Sequence, residues 1–215
     1  MIFFDSSLTA LMLKNSLISN LSKEEHSLFG EIESANEKLK IPNLKIEVIA
    51  LILQILRDRP AKNILEFGSG VGTSAFWLLS GPNLALINKI YLTERRPDCA
   101  EEFHKICWPL SWKEKIVFWE GDALFNVQKN KNQMNSIDFL LIDGQKNQYL
   151  SFLRELIPLL SSNARILVDN VFLCSSKTAS VNSALQELSD FIYQSNHFFV
   201  TSLSINDGVF LLQKK

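Results

Sequence analysis

Polar residues at the ends of two apolar segments give the first indication of chemistry in this chain. Asp143 ends the run IDFLLID, and Asp169 ends ARILVD and is followed directly by Asn170. Two carboxylates and an amide oxygen that converge form a hard, oxygen-rich site suited to Mg²⁺, Mn²⁺ or Ca²⁺. None of the three histidines belongs to this group, which disfavours a softer metal such as zinc. The sequence therefore predicts a divalent-cation site, with Mg²⁺ as the first candidate.

A lysine accompanies the first of these acids. Lys146 follows Asp143 by three residues in the same loop, next to the predicted cation site. A neighbouring cation disfavours the ammonium form of a lysine, which makes its amine a candidate general base. An isolated lysine is more often a solvated surface charge, but the position of Lys146 beside the acid pair favours a catalytic role.

A glycine-rich loop lies in the stretch ILEFGSGVGTSAFWLL. Gly68, Gly70 and Gly72 allow a turn tight enough for the backbone to lie against a ligand. The spacing differs from the G-x-G-x-x-G of dinucleotide-binding loops, and Glu66 precedes the first glycine by two residues. A carboxylate at this place opposes a pyrophosphate, which disfavours an NAD-linked oxidoreductase. It suits a cationic ligand such as S-adenosylmethionine, which carries a sulfonium and an amino group.

Other candidate cofactor residues follow the next two apolar segments and the glycine loop. Glu94 ends YLTE, where a nucleotide-binding fold places the acid that binds the ribose hydroxyls. Asp122 and Ala123 begin the turn after a third strand, where the adenine would lie. Asp122 is equally suited to cap the helix that follows it. Ser74, early in the helix after the glycines, is a candidate to hold the carboxylate of the methionine moiety.

The elements that must position these residues alternate along the chain. Short apolar segments alternate with helical patterns from residue 61 onward, which is typical of a parallel sheet with helices on both faces. The tail predicts an antiparallel pair, 197–204 with 209–213, across the turn Asn206-Asp207-Gly208. The sequence thus predicts an α/β, Rossmann-like, doubly wound and mostly parallel sheet of seven strands. The predicted parallel strands are 64–67, 89–94, 116–119, 137–143 and 164–169, and a helix is predicted over 149–160.

Composition and length indicate an ordinary globular protein. A chain of 215 residues suits one well-buried domain, here preceded by two predicted helices within the first 40 residues. The net charge of −1 gives no general attraction to nucleic acid. No apolar run reaches membrane-spanning length, and the N-terminus lacks the basic start and cleavage site of a signal peptide. A cytoplasmic location without a membrane partner is therefore the expectation.

The order of these motifs resembles that of the metal-dependent O-methyltransferases. This group of class I S-adenosylmethionine-dependent methyltransferases includes the catechol and caffeoyl-CoA O-methyltransferases and their bacterial relatives. The matching stretches, in order from residue 64 to the C-terminus, are ILEFGSGVGTS, YLTE, EGDAL, IDFLLIDGQKNQY, ILVDNVF and INDGVFLLQKK. The family pattern D-x-x-K-x-x-Y fits Asp143, Lys146 and Tyr149, and its D-N pair fits Asp169 and Asn170.

The resemblance implies a role for each matched residue. Lys146 would be the base, and Asp143, Asp169 and Asn170 would hold the metal. The residues in contact with the cofactor would be Glu66, Gly68, Ser74, Glu94, Ala123 and Asp143. Gly70 of the glycine loop and Asp122 after the third strand, identified above, complete the predicted cofactor set. The chain then divides into an N-terminal helical extension, 1–40, and a class I methyltransferase domain, 41–215. The extension would cap its own domain, close over a substrate or pair with a second subunit, and a homodimer is the expectation.

Two departures from the family pattern follow the metal-binding loop. The Gly-Gly that usually precedes the fifth strand is Asn163-Ala164, which keeps the turn if Asn163 adopts a left-handed conformation. The glycine-rich segment expected after the D-N pair is replaced by Cys-Ser-Ser-Lys at 174–177. This segment would border the acceptor pocket, so its difference leaves the substrate open.

The reaction implied by the resemblance is metal-dependent methyl transfer to a hydroxyl of a small, catechol-like acceptor. The alternative acceptor is a hydroxylated wobble uridine of tRNA, because bacterial relatives resemble this chain in both roles. Four lysines, at 113, 115, 129 and 131, keep RNA open as a partner. From another class, a non-catalytic regulatory module that binds S-adenosylmethionine would be expected to lose the metal ligands or the base, and this sequence keeps both.

Overall fold

One mixed sheet organises the part of the chain that the structure, a computed structural model, describes: residues 6–172 and 178–215. Its strands are β1 (Asn63–Phe67), β2 (Lys89–Glu94), β3 (Ile116–Glu120), β4 (Ile137–Ile142), β5 (Leu160–Asp169), β6 (Phe198–Leu203) and β7 (Val209–Lys214). They are arranged in the order β3-β2-β1-β4-β5-β7-β6. The strand order reverses between β1 and β4, and ligands of open α/β sheets bind at such a point.

Helices cover both faces of this sheet. They are α1 (Ser6–Ile18), α2 (Lys23–Leu39), α3 (Ile46–Asp58), α4 (Thr73–Leu79), α5 (Pro97–Lys105), α6 (Leu110–Lys113), α7 (Ala123–Asn130), α8 (Tyr149–Leu156) and α9 (Ala179–Gln194). β1 to β5 are parallel, while β7 runs antiparallel to both β5 and β6. The prediction of a mostly parallel, Rossmann-like sheet with an antiparallel C-terminal pair is confirmed.

The boundary between α8 and β5 differs from the predicted one. The helix predicted over 149–160 ends at Leu156 and continues as one 3-10 turn that contains Pro158. A proline lacks the backbone N–H that an α-helix interior requires. β5 then begins at Leu160 rather than Ala164, and its pairing with β4 shifts register between Ile137 and Phe139. Asn163 lies at this irregularity with a φ of 64°, the left-handed conformation expected from the sequence.

The second N-terminal helix packs into the main core. Ser22 and Glu25 form a capping box at its start, which satisfies backbone N–H groups that the helix leaves unpaired. Its apolar side reaches Phe76 and Trp77 of α4 through the ring of Phe29, with centroids 5.2 Å apart in both cases. α2 therefore belongs to the same hydrophobic core as α4, while the division of the chain at residue 40 stays a prediction.

Other sequence expectations concern the surface. Leu8, Leu11 and Met12 of α1 are exposed, and dimerisation through the N-terminal helices stays a prediction. Across the two described ranges, no helix is both long and apolar enough to cross a membrane. The predicted border of the acceptor pocket, residues 174–177, lies outside the described residues.

Candidate active site

A cavity of about 510 Å³ opens at the carboxyl ends of β1, β2 and β4. The parallel strands bring the polar residues that follow them to this one edge, as the sequence predicted. The predicted cofactor residues that line the cavity are Glu66, Gly68, Gly70, Ser74, Glu94, Ala123 and Asp143. Asp122 is absent from the lining, and its carboxylate instead caps α7 by accepting from the backbone N–H of Phe125 at 2.9 Å. That hydrogen bond, with a second from Gln148, lowers the pKa of Asp122.

The glycine loop crosses from β1 toward β2 and holds Glu94. The backbone N–H groups of Gly68 and Ser69 donate to the carbonyl oxygen of Thr93 at 3.1 and 3.0 Å. The N–H of Gly70 donates to Glu94 Oε2 at 2.8 Å, and the N–H of Arg96 donates to Glu94 Oε1 at 2.7 Å. Both carboxylate oxygens of Glu94 are therefore fixed by backbone, which places this acid at the cavity wall in a defined orientation.

Glu66 is a buried acid with one oxygen that has no donor. Its Oε1 accepts a hydrogen bond from the Ser74 hydroxyl, and its Oε2 has no partner among the described residues. Burial raises the pKa of Glu66 to about 8, and the nearby carboxylates of Asp143 and Glu94 add to the effect of burial. Ser74 was predicted to hold a carboxylate of the ligand. Its hydroxyl proton already serves Glu66, so Ser74 does not offer that proton to a ligand carboxylate in this structure.

We expect Glu66→Gln to flatten the pH dependence of the stability of the ligand-free protein. The pKa of Glu66 is about 8 in the folded state against 4.5 for an ordinary glutamate. Its contribution to stability is thus complete below pH 4.5 and is lost as the pH rises through 8, with a slope of up to about 1.4 kcal/mol per pH unit. Urea unfolding at several pH values measures this slope. The exposed Glu24→Gln is the control, and equal slopes for Glu66→Gln and wild type would contradict the expectation.

The three predicted metal ligands lie together at the ends of β4 and β5. The Nδ2 of Asn170 is 3.2 Å from Asp143 Oδ1 and 2.9 Å from Asp169 Oδ2. Asp169 is only 1% exposed, and its Oδ1 lacks a hydrogen-bond partner in the described ranges. Burial, reinforced by the neighbouring Asp143, raises the pKa of Asp169 to about 7, and burial also raises the pKa of Asp143.

This group fits a divalent cation by the chemistry of its donors. A buried carboxylate oxygen without a hydrogen-bond partner, beside a second carboxylate, would gain from a bound cation. Two carboxylates and an amide are oxygen ligands of the kind that Mg²⁺ and Ca²⁺ prefer. No group of three or more His, Cys, Asp or Glu side chains suited to a metal occurs within the described residues. A cation held here would need the amide oxygen of Asn170 as its third protein ligand, and the amide would have to turn over, because its Nδ2 now faces both carboxylates and its Oδ1 accepts from Asn206.

Lys146 lies beside this acid pair. Its Nζ is 3.4 Å from Asp143 Oδ1 and 3.3 Å from the carbonyl oxygen of Gly144. The ammonium also lies 5.3 Å from the centre of the Tyr149 ring, a cation–π distance. The Tyr149 hydroxyl donates to the backbone oxygen of Asp169 at 3.2 Å. The structure thus joins the D-x-x-K-x-x-Y residues and the D-N pair in one cluster, of which Asp143 is the member that lines the cavity.

The sequence prediction missed one wall of the cavity and several residues between its acids. The lining residues that were not predicted are Asn36, Ile41, Pro42, Asn43, Leu44, Thr93, Arg95, Arg96, Cys99, Gly121, Gly144, Gln145 and Gln148, together with neighbours in the glycine loop. The first five come from the end of α2 and the loop after it. The sequence contained one signal for this wall. Asn36 is a polar residue on the apolar side of a predicted helix, at helical spacing from Ile32 and Phe29.

Gly68 lies in direct contact with the loop that carries Asp143. A Cβ at Gly68 would lie 2.7 Å from the Cα of Gly144 and 2.8 Å from the carbonyl oxygen of Asp143, and its φ is 92°. The N–H of Asp143 also donates to the carbonyl oxygen of Phe67 at 3.0 Å. Only glycine allows the two loops to approach this closely.

We expect Gly68→Ala to destabilise the protein by about 2 kcal/mol or more, because a side chain is strained at this φ and its neighbours are backbone atoms. Urea unfolding measures the change in the free energy of unfolding. The matched control is Gly30→Ala in α2, where no atom lies within 4 Å of the added Cβ. There we expect a gain of about 0.5–1 kcal/mol from helix propensity. Equal stabilities of the two variants would show that the loops separate easily.

Comparison with known proteins agrees with this arrangement. The model of the O-methyltransferase family matches residues 19–215. The chain is 27% identical to a caffeoyl-CoA O-methyltransferase of Pinus taeda over 78% of this chain and 68% of that protein. It is 23% identical to the tapetum-specific methyltransferase 1 of Arabidopsis thaliana over 88% and 87% of the two chains.

Solved structures show the same fold. A Staphylococcus aureus protein, described as a candidate caffeoyl-CoA O-methyltransferase, has a TM-score of 0.80 and 20% identity, with coverage of 97% of this chain and 100% of that chain. The O-methyltransferase from Bacillus cereus, solved in complex with SAH, has a TM-score of 0.74 and 17% identity, with coverage of 88% and 91%. From the family match, the motifs and the cavity, we conclude that this chain belongs to the O-methyltransferase family and is a class I, S-adenosylmethionine-dependent O-methyltransferase of the caffeoyl-CoA type.

Proposed function

We propose that the protein transfers the methyl group of S-adenosylmethionine to a hydroxyl of a small, catechol-like acceptor in a reaction that requires a divalent cation. The observation that carries this proposal is the buried, unpartnered Oδ1 of Asp169, which lies in one cluster with Asp143, Asn170 and Lys146. The ligands of the cation would be Asp143, Asp169 and Asn170. Mg²⁺ is the first candidate among the hard cations, ahead of Mn²⁺ and Ca²⁺.

The residues of the chain have separable roles in this proposal. When bound, the cation would supply charge that lowers the pKa of the acceptor hydroxyl and favours its oxyanion. Lys146, in its amine form, accepts the hydroxyl proton at Nζ. The acceptor oxygen forms a bond to the methyl carbon as the bond from that carbon to sulfur breaks, and S-adenosylhomocysteine is left. Glu94 and the glycine loop orient the nucleoside end of the methyl donor, so the protein supplies mainly position and deprotonation.

The positions of four lysines favour a small acceptor over tRNA. Lys113 and Lys115 precede β3, whereas the cavity lies beyond the other end of that strand. Lys129 and Lys131 lie at the end of α7, which begins beside the cavity and leads away from it. The side chain of Lys115 donates to the carbonyl oxygen of Ile87, and that of Lys131 pairs with Glu155 at 3.1 Å. These four charges are therefore placed away from the cavity and two are already partnered.

Labelled methyl transfer tests the proposal and its alternatives together. The purified protein is incubated with labelled S-adenosylmethionine and either a catechol, caffeoyl-CoA or bulk tRNA, with Mg²⁺ or with EDTA. We expect label in a small acceptor only with Mg²⁺. Label in tRNA instead would identify RNA as the acceptor and refute the small-molecule proposal. Equal transfer with EDTA would refute the metal requirement. Cofactor binding without transfer to any acceptor would favour a regulatory module.

A further inference from the structure

One hydroxyl links the N-terminal part of the chain to the helix that follows the glycine loop. The Oγ1 of Thr73, the first residue of α4, lies 2.8 Å from Nδ2 of Asn36 in α2. The same oxygen lies 3.2 Å from Oδ1 of Asn43, in the loop after α2. A hydroxyl both donates and accepts, so it can hydrogen-bond to two amide side chains at once. All three residues line the cavity.

The loop after α2, residues 41–44, lies beside the glycine loop. The chain turns at Lys40, the C-cap of α2, which has a φ of 51°. The N–H of Ile41 then donates to the carbonyl oxygen of Asn36 at 3.1 Å. A Cβ built on Gly70 would lie 3.6 Å from Ile41 Cγ2, an ordinary contact distance. A ligand that fills the cavity therefore meets both loops, since both line it.

The bridge through Thr73 fixes the more exposed part of the loop 41–44. Ile41 and Leu44 pack against the hydrophobic core, whereas Pro42 and Asn43 are exposed. The Thr73 hydroxyl holds the side chain of Asn43 and so restrains this part of the wall. Ordering an exposed segment costs conformational entropy, and a ligand binds more tightly when the segment is ordered before it arrives.

We infer that Thr73 is a positioning residue for the methyl donor: its hydroxyl holds the loop 41–44 in place, so that this loop completes one wall of the donor site. The inference rests on the methyltransferase assignment and gives the N-terminal part of the chain a role in cofactor binding. Thr73 acts through the loop and lies outside the predicted cofactor set.

The test removes the hydroxyl and keeps the shape of the side chain. Calorimetry measures the Kd of S-adenosylhomocysteine for wild type, Thr73→Val, Thr73→Ser and the control Thr201→Val. Thr201 lies in β6, is exposed and does not line the cavity. Hydrogen exchange measures the protection of the backbone N–H groups of residues 41–44 with and without this ligand. Thermal unfolding confirms that each variant is folded, and Thr73→Ala replaces Thr73→Val if the latter does not fold.

We expect Thr73→Val to weaken binding of S-adenosylhomocysteine by a factor of about 3–10, the range for one hydrogen bond between neutral groups. Exchange at 41–44 should be faster in Thr73→Val than in wild type before the ligand is added. Thr73→Ser keeps the hydroxyl and should stay within twofold of wild type in both measurements, and so should Thr201→Val.

A double variant tests whether Thr73 and Asn43 act as one unit. Asn43→Ala removes the other end of the bridge. The loss of affinity in Thr73→Val/Asn43→Ala should therefore be smaller than the product of the two single losses. Losses that multiply would show that the two residues act independently and would refute the bridge.

Other results would also contradict the inference. Wild-type affinity in Thr73→Val would show that the hydroxyl does not position the donor. Weaker binding with unchanged exchange at 41–44 would show that Thr73 does not act through the loop, and equal losses in Thr73→Ser and Thr73→Val would assign the effect to packing of the methyl group. Failure of the wild-type chain to bind S-adenosylhomocysteine would instead overturn the cofactor assignment, a result distinct from all of these.

Discussion

Replacement of Lys146 by methionine is expected to reduce kcat by a factor of about 10²–10⁴, the usual contribution of a positioned general base. The Lys146 Nζ lies 3.4 Å from Oδ1 of Asp143, which lines the cavity. Methionine keeps the length of the side chain and removes the amine. Since Lys146 does not line the cavity, affinity for S-adenosylhomocysteine should stay within a few-fold of wild type. Steady-state kinetics and calorimetry measure the two quantities separately.

Lys146→Arg distinguishes a proton acceptor from a fixed charge. The guanidinium keeps the positive charge beside Asp143, but it has no acceptor atom and stays protonated. We therefore expect Lys146→Arg to be as inactive as Lys146→Met. The control is Lys129→Met, at the end of α7, with wild-type turnover. If Lys146→Arg retained most of the activity, charge alone would account for the role of Lys146.

The second large effect is expected from Asp169→Asn, which should lower the activity and raise the stability of the metal-free protein. Asparagine has nearly the shape of aspartate but removes one carboxylate from the predicted cation site. Turnover in the presence of Mg²⁺ should therefore fall at least about 100-fold, since loss of a metal ligand disables the chemistry that the cation supplies. The metal-free protein should become more stable near pH 8, because a buried and unpartnered carboxylate is removed.

The pH dependence of this stability gain follows from the pKa of Asp169. In the folded state this pKa is about 7, against 3.8 for an ordinary aspartate. The contribution of Asp169 to stability is thus complete below pH 3.8 and is lost as the pH rises through 7. Urea unfolding in EDTA should show an advantage of Asp169→Asn over wild type that grows between pH 5 and pH 7 and is largest at pH 8. A variant that is both active and no more stable would contradict the cation site.

The parts of the fold that follow from local pattern were predictable from the sequence. Parallel strands end at one edge of a sheet, so apolar runs followed by acids were enough to place Glu66, Glu94 and Asp143 around one cavity. The same reasoning joined Asp143 to Asp169. For Asp122, a helix cap and a ligand contact require the same residue type at the same position. The sequence left these two roles open, and only the structure showed the cap.

The missed features depend on contacts between distant segments. The start of β5 was misplaced because a register shift against β4 extends the strand back through Asn163, and periodicity does not report on such pairing. The role of the extension was left open among three alternatives because its helical pattern says nothing about where it docks. Asn36 meets Thr73 across 37 positions of sequence, and only tertiary packing brings such residues together. A polar residue on the apolar side of a predicted helix was the available signal.

The close packing of Gly68 against Gly144 has a thermodynamic consequence. The glycine loop lines the cavity proposed for the methyl donor, and the Asp143 loop carries the proposed base and one acid of the proposed cation site. Because the two loops touch through backbone, a ligand that orders one of them also orders the other. Binding of the donor and of the acceptor should therefore be cooperative, and the coupling free energy must be the same whichever ligand binds first. We therefore expect binding of the methyl donor and binding of the acceptor to depend on the same equilibrium between less ordered and more ordered forms of the two loops.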